Sequence, residues 1–104
     1  MQSRASLPLW EVLYLKAELK YITVRTATRT HLLETSLNEL EEKYKPRFLR
    51  IHRNALIARG AVCALEKHHD PQEGEGWAVR LHGIDELLLV SRRQLAAVRE
   101  LIAG

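Results

Sequence analysis

Residues 47–59 read R-F-L-R-I-H-R-N-A-L-I-A-R, a run in which apolar side chains alternate with cations and hydrogen-bonding groups. Between residues 43 and 65 there is no Asp or Glu, while Lys43, Lys45, Arg47, Arg50, Arg53 and Arg59 all fall there, six of the chain's sixteen Lys and Arg. Charge this one-sided attracts polyanions. Phe48, Leu49, Ile51, Ala55, Leu56 and Ile57 are apolar anchors that can pin the segment to a core and leave His52, Arg53 and Asn54 pointing outward. A side chain reads a base edge only when its backbone is held. Arg on guanine and Asn on adenine are the bidentate pairs that suit a major groove. Read blandly, the same residues make a solvated basic loop.

Arg92 and Arg93 form a second candidate site. The two arginines fall in the first turn of a predicted terminal helix, where the macrodipole disfavours cations by a few tenths to ~1 kcal/mol. A phosphate compensates for that placement, because helix N-terminal amides already attract anions; a pair of plain exposed arginines is the alternative. The polar break at Lys16, Glu18, Lys20 and Tyr21 is a weaker third candidate, with Tyr21 equally suited to packing. His68, His69, Asp70 and His82 fit no zinc spacing, and the one cysteine, Cys63, lies apart from them. Nucleophile-elbow and P-loop motifs are absent, and nothing argues that His31, His52 and Ser91 meet as a triad. The reading is a binding module with no metal, no cofactor and no enzymatic activity.

These side chains need elements to position them. Residues 9–18 are dense in β-formers and alternate as a strand; residues 21–27 alternate again, so a hairpin is predicted, with residues 30–35 as the next strand after a turn at Thr28 and Arg29. Ser36 and Glu39 have capping-box spacing and start a helix whose Leu37, Leu40 and Tyr44 share a face; Pro46 prevents its continuation. Residues 60–66 read as a strand, residues 67–76 as turn-rich, and residues 77–81 and 86–90 as a hairpin around Gly83. Ser91 and Gln94 repeat the capping-box spacing, and Leu95, Val98 and Ile102 line the short helix that follows.

The fold class expected is mostly β with two short helices, in one domain over residues 7–104 behind a flexible leader at residues 1–6. Hydrophobic residues at 46% and charged residues at 28% argue against a disordered chain. A net charge of +3 is mild, so the local concentration of cations carries the electrostatic argument. A single cysteine excludes an internal disulfide and fits a reducing compartment. No segment reads as a signal peptide or membrane span, so the expectation is a cytoplasmic protein without membrane contact. No long apolar stripe is left over once the elements pack, hence an expected monomer.

The run F-L-R-I-H-R-N-A-L-I-A-R, followed near the C-terminus by L-V-S-R-R, resembles the LytTR DNA-binding domain of bacterial response regulators, over about residues 7–102. The resemblance implies an elongated fold of short strands whose loops and strand ends enter two successive major grooves and the narrower groove between them. It implies DNA contacts from His52 and Arg53, support or phosphate contact from Arg50, and contacts from Arg92, Arg93, Lys20 and Tyr21. Asn54 and Ala55 stand where Ser and an aromatic residue are common in the family, so Asn54 is carried over with less force. The implied function is sequence-specific double-stranded DNA binding in transcription regulation, on direct-repeat promoter sites and behind an N-terminal receiver domain. Two rivals are a protein interaction module for an acidic partner and a single-stranded nucleic acid binder. The latter would want exposed aromatics, which make up only 6% of the chain.

Overall fold

The computed structural model describes residues 8–72 and 74–103; the leader assigned to residues 1–6 lies outside them. Five short strands form one antiparallel sheet: β1 (Tyr14–Ala17), β2 (Ile22–Arg25), β3 (Thr30–Leu33), β4 (Phe48–His52) and β5 (Ala55–Ala58), in the order β3-β2-β1-β5-β4. A second antiparallel sheet comprises β6 (Val62–Asp70), β7 (Gly74–Leu81) and β8 (Leu87–Val90) in sequential order. Helix α1 (Leu37–Lys43) lies between β3 and β4, and α2 (Leu95–Ala103) closes the described chain. The extents, 46 × 31 × 25 Å, make it elongated.

Strand alternation divides the interior in two, because successive side chains leave opposite faces of a sheet. Leu15, Val24, Phe48 and Leu56 go to a core closed by Leu37, Leu40 and Tyr44 of and beside α1. Tyr14, Ile51, Ala55 and Ile57 go to the other face, against Val79, Leu81, Leu88 and Val90 of the second sheet and Val98 of α2. The sheet is therefore covered on both faces over β1, β4 and β5, while the edge strand β3 leaves Leu32 and Leu33 exposed. That explains why β5 reads A-L-I-A without alternation: Ala55, Leu56 and Ile57 are all buried, though they point to different cores. No helix among the described residues is long and apolar enough to cross a membrane.

Several local expectations are corrected. Residues 9–11 form a 3-10 turn and not the start of a strand. Pro8 sets the entry, and Glu11 N–H and Val12 N–H donate to the Pro8 and Leu9 carbonyls at 3.1 Å. Residues 59–61 form a similar turn before β6. The stretch predicted to be turn-rich is mostly strand: β6 and β7 stay paired from Leu65↔Val79 to Asp70↔Gly74. This arm is polar because much of it projects past the core; Lys67 lies over the Trp77 ring opposite it. Strand β6 runs on to Asp70, and Gly74, which opens β7, takes the positive φ of 84° that β-carbons disfavour.

The first capping box forms as expected: the Ser36 hydroxyl accepts from Glu39 N–H at 3.1 Å and the Glu39 carboxylate accepts from Ser36 N–H at 3.4 Å. A hydrogen bond from the Thr35 hydroxyl, with those from Ser36 N–H and the Ser36 hydroxyl, holds the Glu39 carboxyl below its usual range. The second box does not form. Ser91 makes no side-chain cap; Arg92–Gln94 is a 3-10 turn, and α2 begins only at Leu95. Val98 is fully buried in α2, Leu95 partly, while Ile102 is exposed.

Candidate nucleic-acid interface

Strand register brings two turns to one end of the five-stranded sheet. Lys16, near the end of β1, pairs with Ala55, the first residue of β5, and Ala17 pairs with Ile22, the first residue of β2. The β1–β2 turn (residues 18–21) and the β4–β5 turn (residues 53–54) therefore sit side by side. Ala17 N–H donates to the Asn54 carbonyl at 2.8 Å, which ties the two turns together, and Glu18 N–H donates to the Tyr21 carbonyl at 2.8 Å, which closes the β1–β2 turn. Lys20, Tyr21 and Arg53 are exposed there, and Asn54 is half-buried.

A third turn joins this end through the backbone. Ser91 N–H donates to the Ile51 carbonyl at 2.8 Å. Ile51 is free to accept because β4 is bulged at that point: the register steps from Arg50↔Leu56 to His52↔Ala55, leaving Ile51 without a partner on β5. A bulge twists its strand and redirects the next side chain. Here Ile51 is completely buried and His52, which precedes Arg53 of the following turn, is half-exposed. His52 and Arg93 line one groove, and His52 and Arg92 line the one beside it. The amide that a second capping box would have spent on the helix start is spent on β4 instead.

Arg50 has a different place. Its guanidinium donates to the His52 carbonyl at 2.9 Å, to Asn38 Oδ1 at 3.0 Å, to Glu41 Oε1 at 2.6 Å, and to the Arg53 carbonyl. The side chain is only 18% exposed. It ties α1 to both ends of the His52-Arg53 segment, so its donors are directed inward. His52 is also held: Asn54 N–H donates to its Nδ1 at 3.4 Å, an arrangement that requires the lone pair at Nδ1 and leaves Nε2–H as the outward donor.

The larger groove, about 1110 Å³, is lined by Lys45, Arg50, His52, Arg53, Arg59 and Arg93, with Leu49 and Phe48 at its base. One acid, Glu41, lines it as well, and it is neutralised by Arg50. Lys45 meets Glu42 at 3.2 Å, but both are well exposed, so solvent screens the pair and Lys45 can leave it. Arg59 and Leu19 were not singled out as site residues in the sequence. Arg59 shares the acid-free run, which is the signal that could have found it. Leu19, fully exposed in the β1–β2 turn, carried no sequence signal.

Three turns from segments far apart in the chain, two of them bearing arginines, thus converge on one end of the five-stranded sheet. The model of the LytTr DNA-binding domain matches residues 3–103. This chain belongs to the LytTr DNA-binding domain family. It is 41% identical over 97 residues to the positive alginate biosynthesis regulatory protein of Pseudomonas aeruginosa, covering 92% of this chain and 38% of that protein. It is 34% identical over 93 residues to the CO-responsive transcriptional regulator RcoM of Rhodospirillum rubrum, covering 88% of this chain and 38% of RcoM. The chain thus spans well under half the length of these relatives. Among solved structures, the LytTr domain of a methyl-accepting/DNA response regulator from Bacillus cereus has the same fold, with a TM-score of 0.73, 24% identity, and coverage of 94% of this chain and 86% of that one. The mostly β architecture with two helices expected from the sequence is therefore the LytTr fold.

Proposed function

We propose that this LytTr domain regulates transcription by reading double-stranded DNA through the end formed by the β1–β2, β4–β5 and β8–α2 turns. The observation that carries the reading is the Ser91 N–H to Ile51 carbonyl bond, which sets the two arginine-bearing turns side by side. Arg53, His52 and Asn54 read base edges; Arg92, Arg93 and Lys20 hold the backbone, with Tyr21 beside Lys20. Arg50 acts from behind, as the residue that fixes the reading turn. Lys45 and Arg59 add phosphate contacts along the groove.

The duplex bends so that it can meet both the three turns and the groove that carries Lys45 and Arg59. Bending depends on base-step stiffness, so specificity extends to base pairs that no side chain touches. The domain acts as a binding module without catalytic activity and is monomeric when free. It works in the cytoplasm behind a receiver domain and loads on directly repeated half-sites. The single-stranded alternative is disfavoured: among the described residues only Trp10 and Tyr21 are exposed aromatics, too few for a stacking platform.

The test is to select duplexes from a random pool at stated salt, then compare Arg53→Ala and Lys45→Ala on selected and scrambled DNA. Arg53→Ala should cost about 1–3 kcal/mol on the selected site and much less on scrambled duplex. Lys45→Ala should weaken both alike and lower the salt slope by about one. Equal losses for Arg53→Ala on both duplexes would make it a phosphate anchor. Failure to select any duplex would turn the reading toward an acidic protein partner.

A further inference from the structure

We propose that Leu19 is a specificity-determining residue that packs on the C5 methyl group of a thymine in the major groove. This rests on the DNA-facing end assigned above. A single exposed leucine is ordinary on a protein surface, but the position of this one is not. Its side chain is entirely in solvent, more so than any other large apolar residue among those described; Trp10 is next at 74%. It belongs to neither core, so it contributes no burial to the fold. It occupies the tip of the β1–β2 turn, next to Lys20. That tip is braced by the Glu18 to Tyr21 backbone bond and by the Ala17 to Asn54 bond, each 2.8 Å. Leu19 is therefore held in fixed relation to the Arg53-Asn54 turn.

A leucine has no donor or acceptor and can distinguish bases only by apolar contact. Among the base edges shown in the major groove, thymine presents a methyl group. Insertion as a wedge in the minor groove is the other use of an apolar tip. Glu18 argues against it: its exposed carboxylate adjoins Leu19, and a groove about 6 Å wide would press it against phosphates, whereas the major groove is about 12 Å wide. The neighbouring lysine then meets the backbone while the leucine covers the methyl.

The experiment uses the duplex this chain selects from a random pool, with each thymine replaced in turn by deoxyuridine, which removes only the methyl. Wild type should lose about two- to five-fold at one position, the scale of one buried methyl group. Leu19→Ala should lose a similar factor on the unmodified duplex and become indifferent to deoxyuridine at that position. The proposal is overturned if Leu19→Ala binds as wild type, if it keeps the same deoxyuridine sensitivity, or if its loss appears equally on scrambled DNA. It is also overturned if the variant bends DNA less while no deoxyuridine has an effect, which would make Leu19 a wedge. Arg53→Ala and Arg92→Ala serve as controls. If they weaken binding while Leu19→Ala does not, only this inference falls; if none of the three matters, the DNA-facing end itself is misassigned.

Discussion

Arg50 and Arg53 lie three residues apart and do opposite work. The Arg50 guanidinium spends its donors on Glu41, Asn38 and two backbone carbonyls, and Arg53 stands exposed with its own carbonyl held by that same guanidinium. Replacing Arg50 by Met should leave Glu41 and both carbonyls short of donors and destabilise the domain by about 1–3 kcal/mol; Arg53→Ala should leave stability unchanged. Denaturant midpoints compare the two. A further contrast separates Arg92 from Arg29, both exposed. Arg92 adjoins His52 at the converging turns, whereas Arg29 sits in the β2–β3 turn. Arg92→Ala should lose DNA affinity and Arg29→Ala much less; equal binding by the two variants would remove the β8–α2 turn from the interface.

Among the elements, the junction of β1 with the loop before β8 offers a test through pH. Burial, together with the hydrogen bond the Tyr14 hydroxyl donates to Glu86, pushes its pKa up to about 12 from 10. The fold thus favours the neutral phenol: this contribution is intact below pH 10 and is lost as pH rises from 10 through 12. Tyr14→Phe, measured by denaturation at pH 9 and pH 11.5, should show a smaller fall in stability between the two than wild type. The sequence made strands legible where one face is buried, as in β2, and it made α1 legible through Ser36 and Glu39. It misjudged the β6–β7 arm, because a hairpin that projects past its core has no alternation to display, and its polar residues mimic a loop. It also misjudged Ser91, whose capping-box spacing is satisfied on paper while its amide is taken by a carbonyl forty residues earlier. The candidate site was legible as two basic clusters; their convergence was not, because it depends on a bulge at Ile51 that no residue type announces. Loss of the formed cap is measurable too: Ser36→Ala should cost about 1 kcal/mol, read from thermal melts, with the selected DNA site still recognised.

In the whole molecule the central strands of the five-stranded sheet are covered on both faces, and two arginine-bearing turns meet at one end of that sheet. The chain's small net charge of +3 hides a groove in which the only lining acid is already paired. Affinity should therefore fall steeply with salt even though the chain is only mildly basic. Sedimentation of the free domain should give a monomer, since β1, β4 and β5 are already packed on both faces and the apolar surface left on β3 is only Leu32 and Leu33. The claim on which everything else depends is that three turns distant in sequence form one DNA-facing surface. The most direct measurement is an amide-resolved NMR titration of the domain with its selected duplex. Shifts should concentrate at residues 18–21, 52–54 and 91–94, with β3 and the outer face of α1 silent. Shifts concentrated on β3 and α1, with those three turns unmoved, would contradict the account.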